Sequence, residues 1–147
     1  MPRRGSKAIS RTESKIAIRA VDLFCGAGGL TRGLEASGID VRFGVDVDPT
    51  CAFPYTANNK AQFILKSVED LEANDITKAF TRTAYSLIAG CAPCQPFSTY
   101  QRGKRGPTDE RWHLLKHFRR LVDESSPDLV TMENVPGLER QLVFKSF

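Results

Sequence analysis

The chain has 147 residues, of which 41% are hydrophobic, and this length and composition suit one globular domain. No apolar run approaches the roughly 18 residues that a membrane-spanning helix needs, and the N-terminus lacks the apolar core of a secretion signal. The four cysteines are therefore expected to be reduced thiols, and the protein is expected in the cytoplasm.

The net charge of +4 is unevenly distributed. Residues 1–19 hold six Lys or Arg against Glu13, a net charge of +5, so the other 128 residues carry a net charge of −1. The sequence predicts that 1–19 is a disordered basic tail, either a solubilising extension or an arm with nucleic-acid affinity, since it lacks the amphipathic face of a transit peptide. The basic loop at 101–106 is predicted either to be solvated or to contact phosphates.

Strand and helix patterns alternate along the rest of the chain. The strands are short apolar runs, predicted at Ala20–Phe24, Val41–Val47, Ala61–Leu65, 85–89 and Leu129–Met132. The helices are predicted from Leu30 to a stop at Gly38, over 50–58 after Pro49, near 72–82, and from Trp112 to a stop before Pro127. Strands separated by helices of this length form βαβ units, so the sequence predicts an α/β fold with a parallel sheet.

A glycine-rich segment, Asp22–Leu30, connects the first predicted strand with the first predicted helix. Its glycines let a ligand approach the backbone, and the helix N-terminus offers free N–H donors. It differs from the dinucleotide fingerprint because Thr31 stands at the third glycine position. Asp46 ends the second strand, where a carboxylate is placed to bind ribose hydroxyls. The pattern favours a nucleoside cofactor without a pyrophosphate over a simple tight connection.

Two further strand ends each present a reactive side chain. The strand at 85–89 leads to Cys94 on a turn bracketed by prolines, and the strand Leu129–Met132 leads to Glu133. Chemistry in open α/β sheets lies at the carboxyl ends of the strands. A thiol and a carboxylic acid at that edge suggest covalent attack on an electrophilic carbon, with protonation of the same substrate nearby.

Two other patterns allow different chemistry. Cys91 and Cys94 have the spacing of a thioredoxin-type redox pair or of half a zinc site, but Pro96 disfavours the helix that a redox pair needs, and further zinc ligands at close spacing are not evident. His113 and His117 lie one helical turn apart. Because no third metal ligand is evident, they are interpreted as solvated helix-face side chains.

Four segments taken together resemble the cytosine-C5 DNA methyltransferases over about residues 20–147. They are Asp22–Leu30, Pro93-Cys94-Gln95 followed by Phe97-Ser98, Asp109–Leu114, and Glu133-Asn134-Val135. The resemblance implies a Rossmann-like, S-adenosylmethionine-dependent methyltransferase fold with an incomplete parallel sheet in the order 3-2-1-4-5. It also implies DNA methylation of the restriction–modification type, on double-stranded DNA at the bacterial nucleoid.

The resemblance further implies roles for individual residues. S-adenosylmethionine, the implied cofactor, would be held by Asp22, Phe24, Gly26, Gly28, Gly29, Asp46, Val47 and Pro93. Within that set, Asp46 would bind the ribose and Val47 would pack on the adenine. DNA contacts are implied for Gln95, Ser98, Arg102, Lys104 and Arg105. No metal is implied.

Cys94 and Glu133 are the catalytic residues that the resemblance implies. The target cytosine is flipped out of the duplex. The thiolate of Cys94 attacks C6 of the ring, while Glu133 hydrogen-bonds at N3 and the exocyclic amine. C5 then takes the methyl group, and loss of the C5 proton releases the enzyme. Cys91 is expected to face the sheet instead.

The sequence departs from the family pattern in two places. Ser67 stands where the family usually has an Asp against the adenine amino group. The chain also ends at Phe147, without the family's target-recognition domain and C-terminal motifs, so 20–147 is interpreted as the N-terminal part of the catalytic domain. We expect a fragment or a split subunit, inactive alone, whose second chain supplies the missing parts. The alternatives are an RNA-methylating relative and a non-catalytic cofactor-binding remnant.

Overall fold

The computed structural model describes residues 17–81, 85–93 and 111–134, without the side chains of 111 and 112. In these ranges the strands are β1 (Ile18–Leu23), β2 (Asp40–Asp46), β3 (Gln62–Leu65), β4 (Tyr85–Gly90) and β5 (Leu129–Met132). The helices are α1 (Gly29–Ala36), α2 (Ala52–Asn58), α3 (Ala73–Ala79) and α4 (Arg111–Ser125), with short 3-10 turns at Pro49–Cys51 and Val68–Asp70. None of these helices is long and apolar enough to cross a membrane.

The five strands form one parallel sheet in the order β3-β2-β1-β4-β5, which confirms the predicted architecture. In the register of the central strands, Leu23 of β1 pairs with Gly90 of β4, and Gly90 pairs with Met132 of β5. These three residues are the last of their strands. The segments that follow them therefore leave the sheet at one level and on one edge.

Successive side chains of a strand point to opposite faces of the sheet. Both faces of these strands carry apolar side chains, and helices cover each face. On one face, Val21 and Leu23 of β1 pack in a buried cluster with Ile76 of α3 and Phe118 of α4. On the other face, Ala20 packs in a second cluster whose largest member is Tyr55 of α2. Among the described strands, β5 has a neighbouring strand on one side only. The exposed fractions of its residues Leu129 and Val130 are 46% and 43%.

The strand boundaries lie within two residues of the predicted ones. β1 begins at Ile18, two residues before the predicted start of this strand at Ala20. The strand ends at Leu23 because Phe24 has a φ of +59°, which strand geometry does not allow. Gly38 has a φ of +85° directly after α1, as expected for a glycine that stops a helix. The disorder predicted for residues 1–16 lies outside the described ranges.

Gly90, the last residue of β4, is packed too closely to accept a side chain. A Cβ added there would lie 2.6 Å from the carbonyl oxygen of Leu23 and 2.8 Å from Cε2 of Phe118. The same Leu23 carbonyl accepts a hydrogen bond from the N–H of Cys91, the residue after Gly90. This bond limits how far the backbone at Gly90 can move away from β1. Relief of the clash would therefore disturb either the strand end or the core beneath α4.

We expect Gly90→Ala to lower the free energy of unfolding by about 1–3 kcal/mol, the usual cost of overpacking. Urea unfolding of the 147-residue chain measures this. Gly33→Ala is the matched control, because a Cβ at Gly33 in α1 meets nothing within 4 Å, and a helical alanine is favoured over glycine. If Gly90→Ala proved as stable as Gly33→Ala, the packing described at the end of β4 would be wrong.

Candidate active site

The glycine-rich turn between β1 and α1 is held in left-handed backbone geometry. Gly26 and Gly28 have φ values of +51° and +89°, and Phe24 shares this geometry. A Cβ at Gly26 would meet no atom within 4 Å, so the space beside this residue is open. A Cβ at Gly28 would lie 2.2 Å from Nδ2 of Asn59, so Gly28 lets α2 approach closely. Of these two glycines, Gly26 is therefore the one beside which a ligand has room.

Asp46, at the end of β2, is hydrogen-bonded to this turn. Its Oδ2 accepts the backbone N–H of Gly26 at 2.8 Å, and its Oδ1 accepts the N–H of Asp48 at 2.9 Å. These bonds fix the orientation of a half-buried carboxylate beside the open space at Gly26. The next residue, Val47, has a side chain that is 69% exposed. The edge of the sheet thus presents an oriented carboxylate next to an accessible apolar group.

Asp22, also predicted to bind the cofactor, lies fully buried beneath the turn. The hydroxyl of Thr31 donates to its Oδ2 at 2.6 Å, and the same hydroxyl lies 3.1 Å from the hydroxyl of Tyr55. Oδ1 of Asp22 has no hydrogen-bond partner among the described residues. Burial raises the pKa of Asp22 to about 6, and nearby Asp46 and Glu133 also raise it, while the Thr31 bonds lower it. Through its bond to Thr31, Asp22 therefore links the end of β1 to the first turn of α1, beneath the glycine-rich turn.

Because the folded-state pKa of Asp22, about 6, lies above its usual value of 3.8, its ionised form destabilises the fold. Protonation between pH 6 and 4 should therefore stabilise the folded chain relative to the unfolded chain, by about 3 kcal/mol at most. We expect this gain to disappear in Asp22→Asn. Urea unfolding between pH 4 and 7 measures the difference between wild type and variant. Asp123→Asn, at an exposed ion pair with Arg119, serves as control. A wild-type-minus-Asp22→Asn difference that stays constant with pH would contradict the assignment.

Sequence reasoning did not find the role of Thr31. The available signal was a threonine at the third glycine position of the turn, where a hydroxyl on the first turn of α1 can reach back to the β1 carboxylate. Tyr55 completes this group, and its ring fills the space above Gly44, where a Cβ would lie 2.5 Å from the Tyr55 hydroxyl. Burial raises the pKa of Tyr55, with a smaller opposing effect from the Thr31 bond.

The ends of β4 and β5 are tied to each other by two hydrogen bonds. The N–H of Glu133 donates to the carbonyl of Gly90 at 3.0 Å, and Nδ2 of Asn134 donates to the carbonyl of Ala92 at 2.9 Å. Segments 42 residues apart in sequence are thereby placed side by side. Glu133 is exposed and Pro93 is half-buried. The structure thus brings Glu133 next to the segment that leads to Cys94.

Several predicted site residues lie outside the described ranges, and their roles stay predictions. These residues are Cys94, Gln95, Ser98, Arg102, Lys104 and Arg105. Cys91 lies within the ranges, and the expectation that it faces the sheet is wrong, since its side chain is exposed where the chain leaves β4. Among the described cysteines, Cys25 and Cys51 are free thiols.

Comparison with known protein families identifies the family of this chain. The model of the C-5 cytosine-specific DNA methylases matches residues 18–144, which include the glycine-rich turn, Cys94 and Glu133. The chain belongs to the C-5 cytosine-specific DNA methylase family. The matched range begins at Ile18, the first residue of β1.

Individual relatives agree with this family. The chain is 42% identical over 130 residues to the type II methylase M.HgiDII of Herpetosiphon aurantiacus, covering 86% of this chain and 36% of the relative. It is 38% identical over 121 residues to the type II methyltransferase M.XorII of Xanthomonas oryzae pv. oryzae, covering 80% of this chain and 28% of the relative. The chain thus spans about a third of the length of the curated relatives it matches.

Solved structures show the same fold. A DNA modification methyltransferase encoded within a prophage (E. coli) superposes with a TM-score of 0.67 at 30% identity, over 88% of this chain and 35% of that chain. The S. pombe Dnmt2 methyltransferase superposes with a TM-score of 0.65 at 21% identity, over 86% of this chain and 37% of that chain, a likeness of fold alone. Both agree with the parallel α/β sheet described above.

Ser67, the predicted departure from the family pattern, has a structural role in this chain. It precedes the 3-10 turn at Val68–Asp70, and its hydroxyl oxygen accepts the N–H of Glu69 at 3.2 Å. A serine caps such a turn as well as an Asp does. Ser67 therefore stabilises the start of this turn.

Proposed function

We propose that this chain is the cofactor-binding and nucleophile-bearing part of a DNA cytosine-C5 methyltransferase, acting in the cytoplasm on cytosine flipped out of duplex DNA. One observation carries the proposal. Leu23, Gly90 and Met132 end three adjacent strands at the same level. The glycine-rich turn, the segment leading to Cys94, and Glu133 therefore lie along one edge, as a reaction between a cofactor and a base requires.

The residues at this edge fit S-adenosylmethionine, which supplies an electrophilic methyl group when bound. Gly26 leaves open space beside the turn. Each oxygen of Asp46 accepts one backbone N–H, and because a carboxylate has about four acceptor positions, about two remain for ribose hydroxyls. Val47 offers an exposed apolar side chain to a flat base. Gly28, Gly29, Phe24 and Pro93 would complete the walls, and Asp22 would support them from below.

The chain's own residues would carry the steps on the base. The Cys94 thiolate forms a bond to C6 of the cytosine, which makes C5 nucleophilic toward the methyl group. Glu133 hydrogen-bonds at N3 and the exocyclic amine, where electron density accumulates as the S–C6 bond forms. After methylation, solvent water acting as a base takes the C5 proton. The C5–H electron pair restores the C5–C6 double bond, and the S–C6 bond breaks to release the Cys94 thiolate. The basic residues Arg102, Lys104 and Arg105, with Gln95 and Ser98, would contact the DNA.

Methyl transfer also needs residues that hold the duplex and read its sequence. Because the relatives are about three times longer than their match to this chain, we propose that this part of the site lies outside the 147 residues, in the same protein or in a second chain. Positioning alone can supply roughly 7–11 kcal/mol of a reaction barrier. The 147 residues assayed by themselves are therefore expected to transfer no methyl group to DNA.

A chimeric enzyme tests the proposed function. This chain replaces the matching 130 residues of the Herpetosiphon aurantiacus methylase, and tritiated S-adenosylmethionine is the methyl donor. We expect the chimera to produce 5-methylcytosine in mixed-sequence double-stranded DNA, as identified by mass spectrometry of the nucleosides. The 147-residue chain assayed alone under the same conditions should give background counts.

Two outcomes would support the rival functions. Methylation of transfer RNA with no methylation of DNA would identify an RNA-methylating enzyme. A folded chimera that binds S-adenosylmethionine but methylates neither substrate would identify a cofactor-binding remnant. Circular dichroism and cofactor titration of the same preparation distinguish that result from simple misfolding.

A further inference from the structure

Three potential metal-ligand side chains meet on the face of the molecule formed by α4 and the turn after β3. His113 and His117 lie one helical turn apart on α4, and their Nε2 atoms are 2.9 Å apart. Glu69, in the 3-10 turn at Val68–Asp70, places Oε1 4.0 Å from Nε2 of His113. The three ligand atoms all lie within 4.8 Å of one another. The third ligand that the sequence did not reveal thus comes from a turn more than forty residues upstream.

The spacing of these atoms suits a divalent transition-metal ion. Two nitrogens 2.9 Å apart subtend about 90° at an ion lying about 2.0–2.1 Å from each. If the two nitrogens move apart by a few tenths of an ångström, the N–ion–N angle becomes tetrahedral. Glu69 needs to approach by about 1 Å, which an exposed glutamate does by changing rotamer. Nδ1 of His117 is buried, so Nε2 is the nitrogen of that ring that a ligand can reach.

Without an ion, the contact between the two rings is a single hydrogen bond, in which one Nε2 carries the proton and the other accepts it. An ion replaces that bond with a coordinate bond to each ring and a third to the carboxylate, and the ring that carried its proton on Nε2 then carries it on Nδ1. Imidazole nitrogens with one carboxylate form a ligand set that zinc commonly takes in proteins, with water in the remaining position. His113 and Glu69 are exposed, with side-chain exposures of 57% and 42%, so water has access.

The backbone beneath this site is already fixed. Nη2 of Arg120 donates to the carbonyls of Val68, Glu69 and Leu71 at 3.5, 3.3 and 3.0 Å. The guanidinium therefore points at the turn's carbonyls, while Glu69 and Asp70 add negative charge at the same turn. Because α4 and the turn are held in register before any ion binds, an ion would meet ligands that are partly preorganised.

We propose that Glu69, His113 and His117 form a binding site for one zinc-class divalent cation that clamps α4 to the turn after β3. None of its three ligands is among the residues proposed to act on the cofactor or the base, so we assign the site a structural role. It would, however, fix the first turns of α4, the helix that directly follows the segment containing Cys94.

Zinc titration of the 147-residue chain without an affinity tag tests the proposal. The titration uses the Cys91→Ser, Cys94→Ser background, because those thiols are the competing zinc ligands. We expect one equivalent of Zn²⁺ to bind by calorimetry and the thermal midpoint to rise by several degrees at saturation. In that background, Glu69→Gln and His113→Gln should each weaken binding by about 100-fold or more, because loss of an outer-shell partner alone costs about 10–100-fold.

The controls distinguish this site from other ways of binding zinc. Asp70→Asn removes an exposed carboxylate from the same turn without removing a ligand, so its affinity should stay within about twofold of the background protein. Glu69 and His113 are exposed, so their variants should keep the metal-free thermal midpoint. The proposal fails if zinc binding vanishes in the Cys91→Ser, Cys94→Ser background, or if His113→Gln and Asp70→Asn bind zinc equally.

Discussion

Replacing Cys94 with serine is expected to abolish covalent trapping of DNA and to lower methyl transfer by the chimera on the order of 10⁴-fold or more. An ordinary cysteine thiol ionises near pH 8.5, so a useful fraction is thiolate at neutral pH, whereas a serine hydroxyl remains protonated. The cytosine ring is a poor electrophile, and without a bond at C6 its C5 carbon has little reason to attack a methyl group. Both consequences follow from a single atom change.

DNA that contains 5-fluorocytosine measures the effect directly. Fluorine at C5 cannot leave as a proton does, so the S–C6 bond persists and the protein migrates with the DNA in a denaturing gel. Cys91→Ser is the matched control, because Cys91 is exposed and its backbone N–H, which serine keeps, donates to Leu23. We expect the control to retain the adduct. An adduct of undiminished yield in Cys94→Ser would remove Cys94 from the proposed mechanism.

The sheet and its functional edge could be predicted from the sequence because both rest on local rules. Apolar runs separated by helices specify a parallel sheet, and the carboxyl ends of parallel strands meet on one edge. Asp46 and Glu133 each follow such a run directly, so their placement required no knowledge of packing. The hydrogen bond between Asp46 and Gly26 has the same origin, since β1 and β2 are neighbours in the sheet.

The parts that escaped prediction depend on contacts between distant segments. Thr31 reaches Asp22, and Tyr55 reaches Thr31, because α1 and α2 pack on the same face of the sheet. No periodicity in the sequence predicts that packing. Glu69 meets His113 for the same reason on the opposite face.

The start of β1 was missed because Arg19 is charged. Its guanidinium remains partly exposed and pairs with Asp40 at 3.1 Å. A charged residue of this kind is more typical of a polar tail than of a buried strand. Local composition therefore assigned this residue to the wrong segment.

Glu133→Gln is expected to lower the turnover of the chimera by about 10²- to 10⁴-fold, the range typical for loss of a group that handles a proton in the transition state. Glutamine has the same shape and can still hydrogen-bond to the base, but it cannot exchange a proton with N3 or balance the charge that develops on the ring. The backbone should stay in place, because the Glu133 N–H bond to Gly90 does not involve the side chain. The loss should therefore be in chemistry and not in folding.

Single-turnover methyl transfer with saturating DNA and cofactor isolates that loss from binding. Glu124→Gln is the matched control, since it removes an exposed ion pair with Arg120 on α4, and such pairs contribute about 0–1 kcal/mol to stability. We expect Glu124→Gln to react at the wild-type rate and Glu133→Gln to bind DNA with nearly unchanged affinity while its chemical step slows. A Glu133→Gln rate within about threefold of wild type would mean that the carboxylate at the end of β5 takes no part in activating the base, and that Cys94 alone makes C5 reactive.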